Sequence, residues 1–258
     1  SLGKTANCHI NIDTGMNRLG INFRDCVKLI KKILELDYIS IEGIFTHFSC
    51  ASEKGDRFTE TQWKRFGEVL KELRELKKEI KFSHCCNSAA FLKYRKMEMD
   101  MVRLGIAIYG LNPFSSSKPK LDLKPVLSLK SRITFIKKVA PGEGISYCST
   151  FKTNRESIIA TIPIGYADGY SRILSNKVSA IINGQFAPLV GNITMDQIMI
   201  DLTDIEGADG IKAGDEVILL GSSGNKRISA ENLAELAETI NYEIVCNYRS
   251  RIPRIFIN

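Results

Sequence analysis

In the first half of the chain, short apolar runs alternate with stretches whose apolar residues recur every three or four positions. The runs "CHINID" (Cys8 to Asp13), "SIEGIFTHF" (Ser40 to Phe48), "KFSHCCNSA" (Lys81 to Ala89) and "DMVRLGIAIYG" (Asp100 to Gly110) are predicted as strands. Between them, "DCVKLIKKILEL" (Asp25 to Leu36) has helical spacing, and the stretch from Thr59 to Ile80 sets Trp63, Phe66, Leu70, Leu73 and Ile80 on one stripe. A short helical piece follows around Phe91 to Lys96. Strand and helix in alternation imply parallel strands with right-handed crossovers, and such sheets carry their chemistry at the carboxyl ends of the strands. Those ends hold Asp13-Thr14-Gly15, Thr46-His47-Phe48, Asn87-Ser88 and Arg103-Leu104-Gly105.

The pattern changes beyond "NPFSSSKPKLDLKP" (Asn112 to Pro125), a Pro- and Ser-rich stretch that reads as a linker. Short alternating segments follow: "VLSLKSRITFIKKV", "SIIATIPIGYADG", "KVSAIINGQFAPLVGNI", "QIMIDLTDI" and "DEVILLG". Turns are expected at Pro141-Gly142, Asn183-Gly184 and Ala213-Gly214. They predict an antiparallel β-domain with one helix, Ser229 to Asn241, capped by Ser229 and turning Leu233, Leu236 and Ile240 inward. The expected domains are residues 1–118 and 125–258.

Composition narrows the class. A chain of 258 residues that is 44% apolar can bury one large core or two modest ones. There is no run of about 18 apolar residues and no charged-then-apolar leader, which predicts a soluble chain. The seven cysteines are odd in number and none forms a C-x-x-C pair, so reduced thiols in a cytoplasmic setting are expected, with no metal site. Adjacent Cys85 and Cys86 read as small core residues. The net charge of +7 comes from lysines interspersed with glutamates, as in "KRFGEVLKELRELKKEIK", a solvated helix face rather than a nucleic-acid footprint. It leaves room for an anionic small molecule. Arg103 stands apart, because an arginine inside an apolar segment needs a partner.

Several strings together resemble the alanine racemases: "IDTGMNRLG", "THFS", "NSAAFL", "VRLGIAIYGL", "SYCSTF", "IPIGYADGYSR", "VGNITMDQIMID" and "RIPRIF", in that family's order along the whole chain. The resemblance implies an α/β plus β fold, the C-terminal half of a (β/α)8 TIM-type barrel followed by a mostly antiparallel β-domain. It also implies an isomerase that interconverts L- and D-alanine with pyridoxal 5'-phosphate, supplying D-alanine for the cell wall. In that likeness residues 1–118 bind the cofactor and 125–258 carry the catalytic tyrosine.

Roles follow residue by residue from the same resemblance. Arg103 matches the arginine that faces the pyridine nitrogen of the cofactor; a guanidinium cannot give up its proton, so that nitrogen stays an acceptor and the ring a weaker electron sink. Racemisation needs proton transfer on both faces of the α-carbon. Tyr147 matches the second catalytic base, and His47 the histidine between that tyrosine and Arg103. Ser88, Gly105 and Ile106 match phosphate contacts, with Asn87 adjoining. Arg18 matches an arginine beside the cofactor's phenolic oxygen and the substrate carboxylate, and Met195 and Asp196 the loop that meets that carboxylate. Tyr166 and Arg172 match residues lining the substrate entrance. The family's head-to-tail dimers share their sites, which implies a homodimer here with no nucleic-acid or membrane contact. His9 and His84 match no role and are expected as satisfied core histidines.

The likeness has gaps. The family's Schiff-base lysine, in a V-x-K-A-N-A-Y-G-H-like string, does not occur, and Lys4 lies at the wrong end of its strand to replace it. The expectation is a part of a longer chain, inactive alone. Asn11 stands where many relatives have a lysine that positions the arginine matching Arg18. Ser250 falls where many have a tyrosine beside the substrate methyl group, with Tyr248 two residues earlier. The extra room and hydroxyl make serine an alternative substrate to alanine, as in the serine racemase domains of membrane-anchored proteins. A non-catalytic cofactor-binding relative is the other alternative.

Overall fold

Strand β1 (Ala6–Asp13) pairs in parallel with β2 (Ile21–Asn22) on one side and β3 (Ile39–Phe45) on the other, and β3 pairs in parallel with β4 (Phe82–His84). The computed structural model describes residues 3–75, 80–114 and 121–257. Helix α1 (Cys26–Ile33) joins the β1–β2 edge to β3, and α2 (Phe58–Glu75) joins β3 to β4. Phe66, Val69 and Leu73 of α2 are buried with Ile12, Ile30, Ile44, Cys85, Cys86 and Met97 in one core. Trp63, Leu70 and Ile80 pack at its margin, so the predicted stripe does face inward. Residues 76–79, inside the predicted helix, lie outside the described residues.

The fourth predicted strand is a correction. Asp100 to Leu104 forms no ladder, and Ile106–Tyr109 is a single 3-10 turn. The segment does lie along the chain leaving β4, through Asp100 N–H to the Ser83 carbonyl at 3.1 Å and Arg103 N–H to the Cys86 carbonyl at 3.0 Å. Both spacings are three residues, whereas a ladder repeats every two. The helical piece after Asn87 is also shifted, forming α3 (Ser88–Lys93) and a 3-10 turn at Arg95–Met97.

The chain divides into two compact units, Ser1–Leu123 and Lys124–Asn258. The expected boundary at residue 118 lies outside the described residues. In the second unit, β5 (Leu129–Arg132), β6 (Phe135–Val139), β7 (Gly144–Ile145), β8 (Phe151–Lys152) and β9 (Ser157–Ile162) come first. They are followed by β10 (Ser179–Ile182), β11 (Gln185–Pro188), β12 (Ile198–Asp201), β13 (Glu216–Ser223) and β14 (Lys226–Ile228). Every pairing among them is antiparallel, in sheets ordered β11-β10-β13-β14 with β5 on β13, β12-β9-β6, and β7-β8. Asn183 and Gly184 make the β10–β11 hairpin turn with φ of 47° and 72°.

The single helix predicted from Ser229 is two. Ser229 caps α4 (Ala230–Leu236), its Oγ accepting from Asn232 N–H at 3.1 Å, and a separate α5 (Asn241–Cys246) follows. Glu238 adopts φ of 54°, which no α-helix sustains. The break leaves Leu236 and Ile240 exposed while Leu233 is buried. Among the described residues no helix is long and apolar enough to cross a membrane.

Candidate active site

Arg103 has its partner, and more than one. Nη1 lies 2.5 Å from His84 Nδ1, Nη2 donates to the Thr46 carbonyl at 2.8 Å and lies 3.4 Å from His47 Nδ1, and the guanidinium covers the Phe45 ring at 4.9 Å. Among the described residues none meets Nε. Burial lowers the guanidinium's affinity for its proton below that of a free arginine. Burial also lowers the pKa of His47, helped by the charges of Arg103 and then Arg18. A neutral His47 facing an arginine must accept at Nδ1, so its one proton sits on Nε2.

His47 lies on the loop after β3, and α2 fixes that loop. Gln62 of α2 donates to the His47 carbonyl at 3.0 Å and to Thr14 Oγ1 at 3.1 Å, and its own carbonyl accepts from Ser49 N–H at 2.9 Å and Ser49 Oγ at 3.2 Å. Thr14 and Thr46 share a 2.7 Å hydrogen bond. Gln62, Thr14 and Thr46 are all fully buried, so every polar atom here needs the partner it has. Arg18 stands exposed on the loop between β1 and β2, beside a cavity lined by Asn11, Asp13, Met16 and His47. The Asn11 amide is engaged with the Leu19 carbonyl at 3.1 Å.

Asn87 caps α3 by accepting from Ala90 N–H at 2.9 Å. Next to it, the buried Ser88 hydroxyl accepts from Gly105 N–H at 2.9 Å and Ala107 N–H at 3.4 Å. The turn containing Ile106 is therefore anchored on the Ser88 hydroxyl. A Cβ built on Gly105 would meet nothing within 4 Å, so this glycine borders open space.

The second unit gathers its own set. Tyr147, 71% exposed, sits on a turn whose main chain is tied to Asn192. Gly191 holds φ of 82° there, and a Cβ on it would lie 2.6 Å from the Ile145 carbonyl oxygen. Tyr166 and Met195 are joined through Tyr166 N–H to the Thr194 carbonyl at 3.0 Å and Ala167 N–H to the Met195 carbonyl at 2.9 Å. Asp196 follows, exposed. Ser175 Oγ accepts from Ile193 N–H at 3.0 Å and donates to the Arg172 carbonyl at 2.6 Å, which links the Arg172 turn to the same loop. Buried Asp168 accepts from Gly165 N–H at 3.0 Å, and its main-chain carbonyl accepts from Arg249 N–H at 3.1 Å, bringing Ser250 alongside.

Sequence reasoning missed Gln62, Asn192 and, above all, His84 and His9. His84 is Arg103's nearest side-chain partner, and His9 Nδ1 lies 2.8 Å from His84 Nε2. A signal was available: the chain has only 3 histidines, and all of them fall on successive parallel strands or the loops that follow. Cys85 and Cys86 are buried with their thiols directed at the Met97 carbonyl.

A parallel α/β unit with polar groups gathered past its strand ends, joined in sequence to an antiparallel β unit, defines a two-part α/β-plus-β class. Residues 1–113 match the model of the alanine racemase N-terminal domain and residues 126–256 that of the alanine racemase C-terminal domain. An alanine racemase of Halothermothrix orenii is 49% identical over 250 residues, covering 97% of this chain and 65% of that protein. A crystal structure of alanine racemase from Bacillus anthracis with bound L-Ala-P superposes with a TM-score of 0.88 at 40% identity, over 98% of this chain and 65% of that one. One from the D-cycloserine producer Streptomyces lavendulae gives 0.91 at 31%, over 99% and 67%. The chain belongs to the alanine racemase family. It spans about 65% of the length of relatives such as the H. orenii protein.

Proposed function

We propose that the complete protein interconverts L- and D-alanine with pyridoxal 5'-phosphate, as a homodimer with shared sites. The observation that carries this reading is Arg103, a half-buried cation held on its Nη1 and Nη2 sides by His84, Thr46 and His47 and unmet at Nε among the described residues. The open space at Gly105, beside Ser88 and the turn of Ile106, fits a phosphate that main-chain N–H groups approach closely, with Asn87 adjoining. Bound pyridoxal phosphate supplies an electron sink for the pair left when the substrate α-proton departs.

The chain's own residues do the rest. Arg103 keeps its proton, so it would hold the cofactor's ring nitrogen as an acceptor and leave it unprotonated. His47, its Nδ1 taken by Arg103, presents an Nε2–H that can donate to a phenolate. That is the support a tyrosine needs to act as a base, and Tyr147 takes that role in the partner's site. Arg18, the Met195 N–H and Asp196 hold the substrate carboxylate, Tyr166 and Arg172 line the entrance, and Ser250 stands next to the substrate methyl group. Residues 1–118 then form half of a (β/α)8 barrel, and residues 125–258 present the catalytic tyrosine. The exposure of Tyr147, Tyr166 and Met195 supports a surface that faces a second copy. The named relatives are alanine racemases, which favours alanine over serine as substrate.

The test is to incubate the complete protein with pyridoxal phosphate and L-alanine, and separately with L-serine, and follow the D-enantiomers. Appearance of D-alanine well above D-serine is expected. No D-alanine from a folded protein that binds the cofactor would overturn the reading.

A further inference from the structure

The 3 histidines and Arg103 form one hydrogen-bonded group, and a single donor dictates its protons. A guanidinium can only donate, so His84 Nδ1, 2.5 Å from Arg103 Nη1, accepts. The neutral ring then carries its proton on Nε2, 2.8 Å from His9 Nδ1, which must accept in turn. His9 is left with its proton on Nε2, 3.9 Å from Glu42 Oε2.

We infer that His9 and His84 are a directed hydrogen-bond chain that positions Arg103, with His84 the positioning residue and the Glu42 carboxylate, 3.9 Å from His9 Nε2, the anionic group beyond its end. The inference rests on the role given to Arg103 above and extends it by three residues that role does not use.

Two backbone features are built around this chain. The β1–β3 register steps by one residue: Cys8 pairs with Ile41 but His9 pairs with Gly43, so Glu42 is an extra residue re-aimed out of the ladder. At the next position, a Cβ on Gly43 would lie 2.5 Å from both Cε1 and Nδ1 of His9. Only glycine leaves the imidazole its place. Ring contacts complete the fit. Phe45 stacks on His84 at 5.1 Å with 4° between planes, and Phe82 stacks on His9 at 6.1 Å.

The charged neighbours agree with a neutral His84. Burial, then the charge of Arg103, push its pKa down to about 4, against a weaker upward pull from Asp100. Asp100 itself is occupied by Ser83 N–H and Oγ, both at 2.7 Å, and Lys81 Nζ lies 3.4 Å from Glu42 Oε1. The other titratable groups that act on Arg103 are His47, at 3.4 Å from Nη2, and the thiols of Cys85 and Cys86. A second proton on His84 would set an N–H against Arg103's own N–H and expel the guanidinium.

The decisive measurement is the tautomer of each imidazole, read from nitrogen NMR shifts of the complete protein at neutral pH without cofactor. His84 and His9 are both expected neutral with the proton on Nε2. A proton on His84 Nδ1, alone or with a second on Nε2, would overturn the inference. In the loaded enzyme, His84→Phe should lower kcat about tenfold or more with little change in KM, as removal of an acceptor from a half-buried charged donor predicts. His84→Asn, whose carbonyl oxygen sits near the lost Nδ1, should recover most of that loss. Full kcat in the phenylalanine variant, or equal losses in both, would sink the positioning role; if the phenylalanine variant does not fold, the tautomers decide. The expected tautomers in a protein that does not racemise would count against the proposed function and leave the chain standing.

Discussion

The Asn192 amide donates a 2.8 Å hydrogen bond to the main-chain carbonyl of Tyr147, and its main-chain carbonyl accepts one of 2.6 Å from Ser146 Oγ. This pair holds a turn in which Ser146, Cys148 and Ser149 have φ of 64°, 61° and 46°. Left-handed backbone costs a non-glycine residue on the order of 1 kcal/mol, so three in four positions persist only because the surroundings demand them.

Asn192→Ala should therefore destabilise the protein by about 1–3 kcal/mol, the range for orphaning a buried polar group. Urea unfolding measures this. In the complete protein kcat should fall while cofactor affinity stays, because Asn192 acts on Tyr147 and not on the residues around Ser88. Unchanged kcat would mean that the strained turn does not aim the tyrosine.

Gln62 uses its carbonyl and both amide protons in a fully buried site. Gln62→Leu, similar in volume, leaves Ser49 N–H and the His47 carbonyl without partners and should cost about 2 kcal/mol or more. Gln62→Glu keeps the acceptor but loses both donors and buries a charge, so its deficit should shrink on acidification as the carboxyl gains a donor proton. Thermal unfolding of the two variants at pH 5 and pH 8 separates them, and a Gln62→Glu deficit that grows at low pH would contradict the network.

His84 binds a proton less readily folded than unfolded, its pKa moving from 6.5 to about 4, and His47 shifts in the same direction. Between those values the unfolded chain carries protons that the native one refuses. The stabilisation is complete above pH 6.5 and is lost as pH falls toward 4. Asp100, held below the usual 3.8 by its hydrogen bonds from Ser83, loses its contribution only at lower pH. Urea midpoints measured from pH 7.5 to pH 4.5 should fall, and fall less steeply in His84→Asn. Parallel slopes would show that His84 titrates normally.

Ser88→Ala removes the hydroxyl that gathers the N–H groups of Gly105 and Ala107. A stability loss of about 1 kcal/mol is expected, together with a dissociation constant for pyridoxal phosphate raised about tenfold in the complete protein. Absorbance titration with the cofactor reads the second effect. An unchanged constant would place the phosphate elsewhere.

Short apolar runs revealed β1, β3, β4 and the antiparallel strands, and where a strand such as Ile198–Asp201 alternates buried with half-buried positions the sequence records its one buried face. That signal failed at Asp100 to Gly110, where apolar content suggested a strand but the hydrogen bonds fall three residues apart. It failed again at Glu238, whose left-handed backbone splits a helix without any glycine or proline to announce it. Within the candidate site, Arg103 was legible because a charge in an apolar run is conspicuous. His9, Glu42 and Gln62 were not, since their partners are 75, 39 and 48 or fewer residues away and no local pattern encodes a meeting across strands.

The register step at Glu42 also makes the length of β3 as informative as its composition. Side chains alternate between faces, so the extra residue reverses the parity of everything after it. Removing Glu42 would restore a regular ladder with Ile44 still buried opposite Ile10, but it would take away the carboxylate beside His9. An added position, rather than an apolar one, is what brings a carboxylate to the histidines of this unit.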